Sequence, residues 1–326
     1  MKKNIAVITG GNSSEYVISV KSADTIIENL DKTKYKPFRV EIKGTNWKVT
    51  MPDGKTVQID KNDFSFTSNS TKTTFDGALI MIHGDPGEDG KLQGYLEMLG
   101  VPYSSSNVLT SSATFSKHFT KQYLLSYGVR SADWILLNKR FGYNVSDVEK
   151  KIGFPCFVKP NNAGSSFGVS KASSHNQLVD AINNAMKEDN EVLIEKMVSG
   201  TEITCGVLRT SKGAYKFPIT EIVSKNGFFD YEAKYTTGMS EEIIPARINE
   251  EIAEQCKELS LRIYDLFNCR WFARIDYIIS NNNLYLLEIN TIPGMSRESI
   301  IPKMVKAANF NLPDLLDEIL SDIFVS

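Results

Sequence analysis

Residues Arg270–Met295, RWFARIDYIISNNNLYLLEINTIPGM, decide the fold. Apolar and β-branched residues alternate on both sides of the polar break Asn281-Asn282-Asn283, the pattern of a β-hairpin. A turn centred on Asn282 sets Asp276 opposite Glu288 and Arg274 opposite Asn290. Side chains alternate faces along a strand, so these four share one face. The other face then carries Ala273, Ile275, Tyr277, Tyr285, Leu287 and Ile289. Two opposed carboxylates repel and are costly to desolvate, so a cation is expected between them. An all-oxygen Asp/Glu/Asn set suits Mg²⁺. A solvated polar sheet face is the other reading of the same alternation.

Working outward, the 326-residue chain is too long for one ordinary core and suits two or three domains. A hydrophobic content of 41% with 23% charged residues is that of a soluble globular protein. The formal net charge of −2 points to neither nucleic acid nor an anionic membrane as partner. Met1-Lys2-Lys3 leads into the short apolar strand Ile5–Ile8, which is too brief for a signal core or a membrane span, so a cytoplasmic location is expected. Cys156, Cys205, Cys256 and Cys269 are scattered and read as buried thiols.

A strand over 4–9, a Gly-rich turn, a helix over roughly 15–30, and strands at 36–42 and 77–83 open an α/β unit with a parallel sheet. Its Gly-rich turns should lie at strand carboxyl ends, where such sheets bind ligands. The polar cluster Thr67–Thr74 reads as loop. A Ser-rich connection around Ser104–Ser112 ends this unit. A smaller α+β segment follows, with a helix from Ser116 and a strand Cys156–Lys159. The loop Pro160–Gly168 comes next, then a helix near 176–187 and a strand Glu191–Met197. The remainder holds long hairpins, a helix at 250–267, and a tail of two helical pieces split near Pro313.

The strand ending at Lys159 delivers an ammonium beside Asn161-Asn162-Ala163-Gly164-Ser165-Ser166-Phe167-Gly168, a loop rich in N–H and hydroxyl donors that can wrap phosphate oxygens. It is not a P-loop, because the lysine precedes the glycines. The strand Glu191–Met197 ends in Val198-Ser199-Gly200 and can offer backbone groups to a planar base, with Glu202 near its ribose.

In order along the chain stand Gly10-Gly11 with Glu15 and Ser19, His83-Gly84 with Gly87-Glu88-Asp89-Gly90, Lys159-Pro160 with Gly164-Ser165-Ser166 and Gly168, Tyr231-Glu232-Ala233-Lys234-Tyr235, Arg274-Ile275-Asp276, and Glu288-Ile289-Asn290-Thr291 with Pro293-Gly294-Met295. This set resembles the D-alanine–D-alanine ligases of the ATP-grasp superfamily, from residue 4 to about 312. The resemblance implies an α/β (α+β overall) ATP-grasp fold. It implies an N-terminal open parallel-sheet domain (1–104), a small central α+β lid domain (105–198) and a C-terminal α+β catalytic domain (199–326). It also implies ATP-dependent joining of two D-alanines through an acyl phosphate, releasing ADP and phosphate for peptidoglycan precursor synthesis, in a cytoplasmic homodimer.

On this resemblance Asp276, Glu288 and Asn290 hold two Mg²⁺ (or Mn²⁺) against the ATP phosphates, and Arg274 neutralises the transferring phosphoryl group and the oxyanion. Lys117, Lys159 and Lys234 contact the phosphates. Glu195, Lys196, Val198 and Glu202 contact adenine and ribose. Glu15 holds the first D-alanine's ammonium and His83 its carboxylate region. Ser165 and Tyr235 are tied to Glu15 and close the loop Phe228–Gly238. Gly294, Ser299 and Ile300 clamp the second substrate. Tyr235 goes with dipeptide formation, and D-serine or D-lactate is the alternative acceptor. Val17-Ile18, Phe167 and Arg297-Glu298 depart from the commonest pattern, and Arg297 bears on the second-substrate pocket. A nucleotide-binding regulator without catalysis predicts lost ligands or a lost Arg274; the chain keeps both.

Overall fold

Ile5-Ala6-Val7-Ile8 is apolar at four successive positions, as a strand covered on both faces must be. In the computed structural model, which describes residues 1–164, 168–224 and 240–325, all four are fully buried. They lie in β1 (Lys3–Gly10), which pairs in parallel with β2 (Tyr35–Lys43) and β7 (Gly77–Ile80). Ala6 and Ile8 face a core shared with Leu92 and Leu96 of α2 (Lys91–Met98). Ile5 and Val7 face another, shared with Ala23 and Ile26 of α1 (Tyr16–Asn29). Helices α8 (Ile300–Ala307) and α9 (Leu312–Ile323) complete that second core through Ile301, Met304, Leu315 and Leu316, so the end of the chain is anchored under its beginning. Pro313 sits in the first turn of α9, where its missing N–H costs nothing.

The parallel part of this sheet is only three strands wide. An antiparallel meander, β3 (Asn46–Thr50), β4 (Thr56–Asp60), β5 (Ser65–Ser68) and β6 (Thr71–Thr73), extends it in the order β6-β5-β4-β3-β2-β1-β7. The Thr67–Thr74 segment, expected as loop, is therefore largely a hairpin. Its two turn residues, Asn69 and Ser70, both have positive φ (47° and 61°), as a tight two-residue hairpin turn requires.

A second sheet, β10-β9-β11-β8, is antiparallel and comprises β8 (Trp134–Asn138), β9 (Cys156–Pro160), β10 (Ser170–Ala172) and β11 (Glu191–Lys196). Helices α5 (Val145–Ile152) and α6 (His175–Glu188) cover one face. The third sheet runs β15-β14-β12-β16-β17, with β13 also on β12. Its strands are β12 (Thr201–Thr210), β13 (Gly213–Lys216), β14 (Thr220–Ser224), β15 (Ser240–Ile243), β16 (Ala273–Ser280) and β17 (Asn283–Asn290). Helix α7 (Glu250–Leu266) packs Cys256, Ile263 and Tyr264 against it. In the chain between the first two sheets come α3 (Val108–Phe115) and α4 (Lys117–Leu125), the latter capped by Ser116, and both pack on β17. All four cysteines are buried free thiols. Among the described residues no helix is long and apolar enough to cross a membrane.

The β16–β17 hairpin keeps the expected pairs, Arg274 with Asn290 and Asp276 with Glu288, but by a different route. The turn has two residues, Asn281 and Asn282, both left-handed, and Ser280 pairs with Asn283. A bulge between Asp276 and Tyr277 inserts Leu287 and restores the pairing beyond it. Side-chain alternation shifts accordingly. Leu286, with Ile275, Tyr277 and Ile289, is in the core, while Tyr285 and Leu287 line a cavity on the other side. Placing Tyr285 and Leu287 on the core face is thus corrected.

Candidate active site

The carboxylate of Asp276 sits at the centre of the β16–β17 face. It accepts from Arg274 Nε and Nη2 (both 3.0 Å), from Thr204 Oγ1 (2.5 Å) and from Asn290 Nδ2 (3.0 Å). Glu288 lies 3.5 Å from Lys117 Nζ. The cation expected between the carboxylates is thus supplied twice, by Arg274 on one and Lys117 on the other. The donor chemistry of Asp276, Glu288 and the Asn290 amide oxygen suits a hard divalent ion. To bind one through Asp276, the Arg274 fork must turn away and the Asn290 amide must present oxygen. Among the described residues no cluster of three or more His, Cys, Asp or Glu residues forms a ready metal cage.

A cavity of about 520 Å³ separates this face from the second sheet, a volume within the usual range for small-molecule sites. Phe157 and Lys159 of β9, Glu195 of β11, and Ile278, Tyr285 and Leu287 of the hairpin line it. Glu195 was expected against a base or ribose. It lines this cavity, and its carboxylate is buried between Lys121 (2.8 Å) and Lys159 (2.5 Å). Burial alone opposes that charge, but the two ammoniums outweigh it and hold the carboxyl down at about 2. β11 is an interior strand through Lys196, paired with β9 and β8. Backbone groups for a planar ligand must come after it, at Met197–Ser199, which line the same cavity. Lys196 itself is exposed, and Glu202 of β12 reaches this cavity and its neighbour.

The neighbouring cavity, about 660 Å³, shares Gly164, Glu202 and Asp276 with the first. Glu15, at the start of α1, enters it beside Gly164; a Cβ added to Gly164 would stand 2.6 Å from Glu15 Oε2. On the far side Ser299, at the N-cap position of α8 without a side-chain capping hydrogen bond, lines the cavity together with Ile300. Gly294 packs so closely that a Cβ would lie 2.7 Å from Ser299 Oγ. Arg297 is turned outward onto Glu28 (2.6 Å), at the rim. Ser165, Lys234 and Tyr235, with the rest of Phe228–Gly238, lie outside the described residues.

His83 lines the same cavity as Glu15 and Ser299. It is buried, and its Nδ1 is 2.8 Å from the Ile292 carbonyl, which can only accept, so Nδ1 carries the proton. Nε2 then accepts from Ser22 Oγ (3.4 Å), which itself accepts from Met295 N–H (3.1 Å). Burial pushes its pKa down, keeping the ring neutral. With both nitrogens engaged by protein, His83 ties the Ile292–Met295 turn to α1.

Glu88 lies between the carboxylates of Glu15 and Glu288. Burial, reinforced by those two charges, pushes its pKa up to about 8, and Oε2 accepts from Gly84 N–H (2.7 Å). The folded chain therefore binds a proton that the unfolded chain, titrating near 4.5, releases, so stability falls as pH rises from about 4.5 to 8. Glu88→Gln removes this slope. Its melting temperature should gain on the parent's between pH 5 and pH 8; parallel curves would contradict the assignment.

Sequence reasoning missed Lys121, Thr204 and Ser22, and it read Asn161 only as part of the phosphate loop. Asn161 Oδ1 accepts from His118 N–H, and its Nδ2 donates to Ser116 Oγ and Glu191, fastening the Lys117 helix to the Lys159 strand. Only Lys121 left a trace in the sequence: it falls one helical turn after Lys117, on the same face.

Residues 4–106 match the family described as D-ala D-ala ligase N-terminus, and residues 124–321 match D-ala D-ala ligase C-terminus. The chain is 49% identical over 325 residues to a D-alanine–D-alanine ligase of Phocaeicola vulgatus, covering 99% of this chain and 100% of that protein. Its fold is similar to D-alanyl-alanine synthetase A of Vibrio cholerae (TM-score 0.90, 27% identity, 100% and 99% of the two chains). It is also similar to a Bacillus anthracis D-alanine–D-alanine ligase complexed with ATP (TM-score 0.79, 31% identity, 98% and 97%). The chain belongs to the D-alanine–D-alanine ligase family of ATP-dependent ligases.

Proposed function

We propose that the two connected cavities join two D-alanines at the expense of ATP. The nucleotide lies between the second and third sheets, and the amino acids lie between α1, the hairpin and α8. The observation that carries this reading is the hairpin register, which places Arg274, Asp276, Glu288 and Asn290 where the cavities meet. A carboxylate oxygen of the first D-alanine attacks the γ-phosphorus, and the bond to ADP breaks. The second D-alanine's amine, having lost its proton, attacks the acyl carbon; the tetrahedral intermediate collapses with loss of phosphate.

In this reading Lys117 and Lys159, with Lys234, hold the phosphates. Met197–Ser199 meet the base and Glu202 the ribose. Glu15 holds the first ammonium, with Ser165 and Tyr235 as its partners. Ser299 and the Ile300 N–H hold the second carboxylate. Arg274 leaves Asp276 to neutralise the transferring phosphoryl group and the oxyanion. Asp276, Glu288 and Asn290 are the residues to hold Mg²⁺, whose role when bound is to neutralise phosphate charge. The same reading takes 1–104, 105–198 and 199–326 as working units of a cytoplasmic homodimer, whose assembly sedimentation would test.

The test is ADP release with ATP, Mg²⁺ and D-alanine, with mass detection of D-alanyl-D-alanine. D-serine and D-lactate should compete poorly as acceptors. Absence of D-alanine-dependent turnover by folded protein would refute the reading.

A further inference from the structure

Lys121 is almost wholly buried, its side chain 1% exposed, and it has no role in the chemistry described so far. It projects from α4 one turn after Lys117. Its ammonium is 2.8 Å from Glu195 Oε1 and donates to the Leu286 carbonyl at 3.2 Å. Each partner belongs to a different wall of the nucleotide cavity. Glu195 holds Lys159 through its other oxygen, at 2.5 Å. Leu286 sits at the hairpin bulge, its N–H taken by the Arg130 carbonyl at 2.8 Å, next to the inserted Leu287 that sets Glu288 opposite Asp276.

We propose that Lys121 is a positioning residue for nucleotide binding: by sharing the Glu195 carboxylate it leaves Lys159 free to serve the phosphates, and by holding the Leu286 carbonyl it keeps the bulge in register. This rests on reading the cavity between the second and third sheets as the ATP site.

The physical case is one of competition. With one lysine on each oxygen of the Glu195 carboxylate, neither ammonium has to satisfy both oxygens, and each keeps N–H donors for another acceptor. Stability alone does not explain the arrangement, since a buried ion pair is often no more stabilising than apolar residues of the same volume. Lys121 never reaches the cavity, whereas Lys159 and Glu195 line it. Its influence on ATP must therefore pass through them and through the bulge. Glu15 and Ser299 at the start of α8 line the neighbouring cavity rather than the one Lys159 and Glu195 line, so D-alanine recognition should change less than ATP binding.

The experiment uses the full chain, with ATP binding by calorimetry and steady-state KM for ATP and for D-alanine. Lys121→Met should weaken ATP binding and raise its KM by about tenfold, while the KM for D-alanine at saturating ATP stays within about twofold. The double variant Lys121→Met/Glu195→Gln removes both buried charges and serves as the folding control. It should melt closer to the parent than Lys121→Met and, with Lys159 released, recover about threefold or more of the lost ATP affinity, a non-additivity that simple packing would not produce. A folded Lys121→Met with parental ATP affinity overturns the proposal, as does a double variant no better than the single one. If the parent itself fails to bind ATP, the nucleotide reading falls and this inference with it. Parental binding with an indifferent variant overturns the inference alone.

Discussion

Glu288→Gln is expected to reduce turnover about 10³-fold while leaving the protein folded, the scale on which charge-stabilising groups act in such sites. Glu288 stands opposite Asp276 and beside Lys117, at the junction of the two cavities. Gln keeps the volume and one acceptor oxygen but loses the charge that a divalent ion and the Lys117 ammonium both require. Little change in melting temperature is expected. Asp276 is already neutralised by Arg274, so the two carboxylates do not depend on each other's removal for relief. Lys117 also donates to the Ala163 carbonyl and so keeps a partner. Turnover at saturating Mg²⁺ within tenfold of the parent would show that Glu288 is not part of the reacting centre.

Gly164→Ala should cost about a hundredfold in kcat/KM for D-alanine. The new methyl would sit 2.6 Å from Glu15 Oε2, well inside contact distance. The obstructed atom is the end of a flexible side chain, so the chain folds and the carboxylate moves instead. That carboxylate is the proposed seat of the first substrate's ammonium, and an ångström of displacement there misaligns the attacking carboxylate. The loss should appear in the KM of the first D-alanine. A variant with parental kinetics would mean that Glu15 does not orient that substrate.

The fold was legible where burial dictates pattern. The unbroken apolar run at Ile5–Ile8 announced a strand covered on both sides, and the alternation around Asp276 announced the hairpin. The bulge at Leu287 was not legible. The expected three-residue turn without a bulge and the actual two-residue turn with one give the same Asp276–Glu288 pair, and only the intervening side chains differ. The sequence therefore located the polar face while misplacing Tyr285 and Leu287. The β5–β6 hairpin was hidden because its strands are short and polar, with little apolar periodicity to read.

Site residues with a charge and a motif around them were found. Those whose function depends on a distant partner were harder to place. Glu195, read as a ligand contact, gave no sign of its ion pair with Lys121, on a helix some 70 residues earlier. Likewise His83 gave no sign in its motif that Ile292, 209 residues away, occupies one of its nitrogens.

Phosphorylation of a D-alanine carboxylate where the two cavities meet is the step from which the rest of the chemistry follows. It is tested most directly by turning over D-alanine labelled with ¹⁸O in its carboxylate, together with ATP and Mg²⁺. The account predicts one ¹⁸O in each phosphate released, formed in step with D-alanyl-D-alanine, because the attacking carboxylate oxygen leaves with the phosphoryl group. Unlabelled phosphate accompanying dipeptide would contradict it.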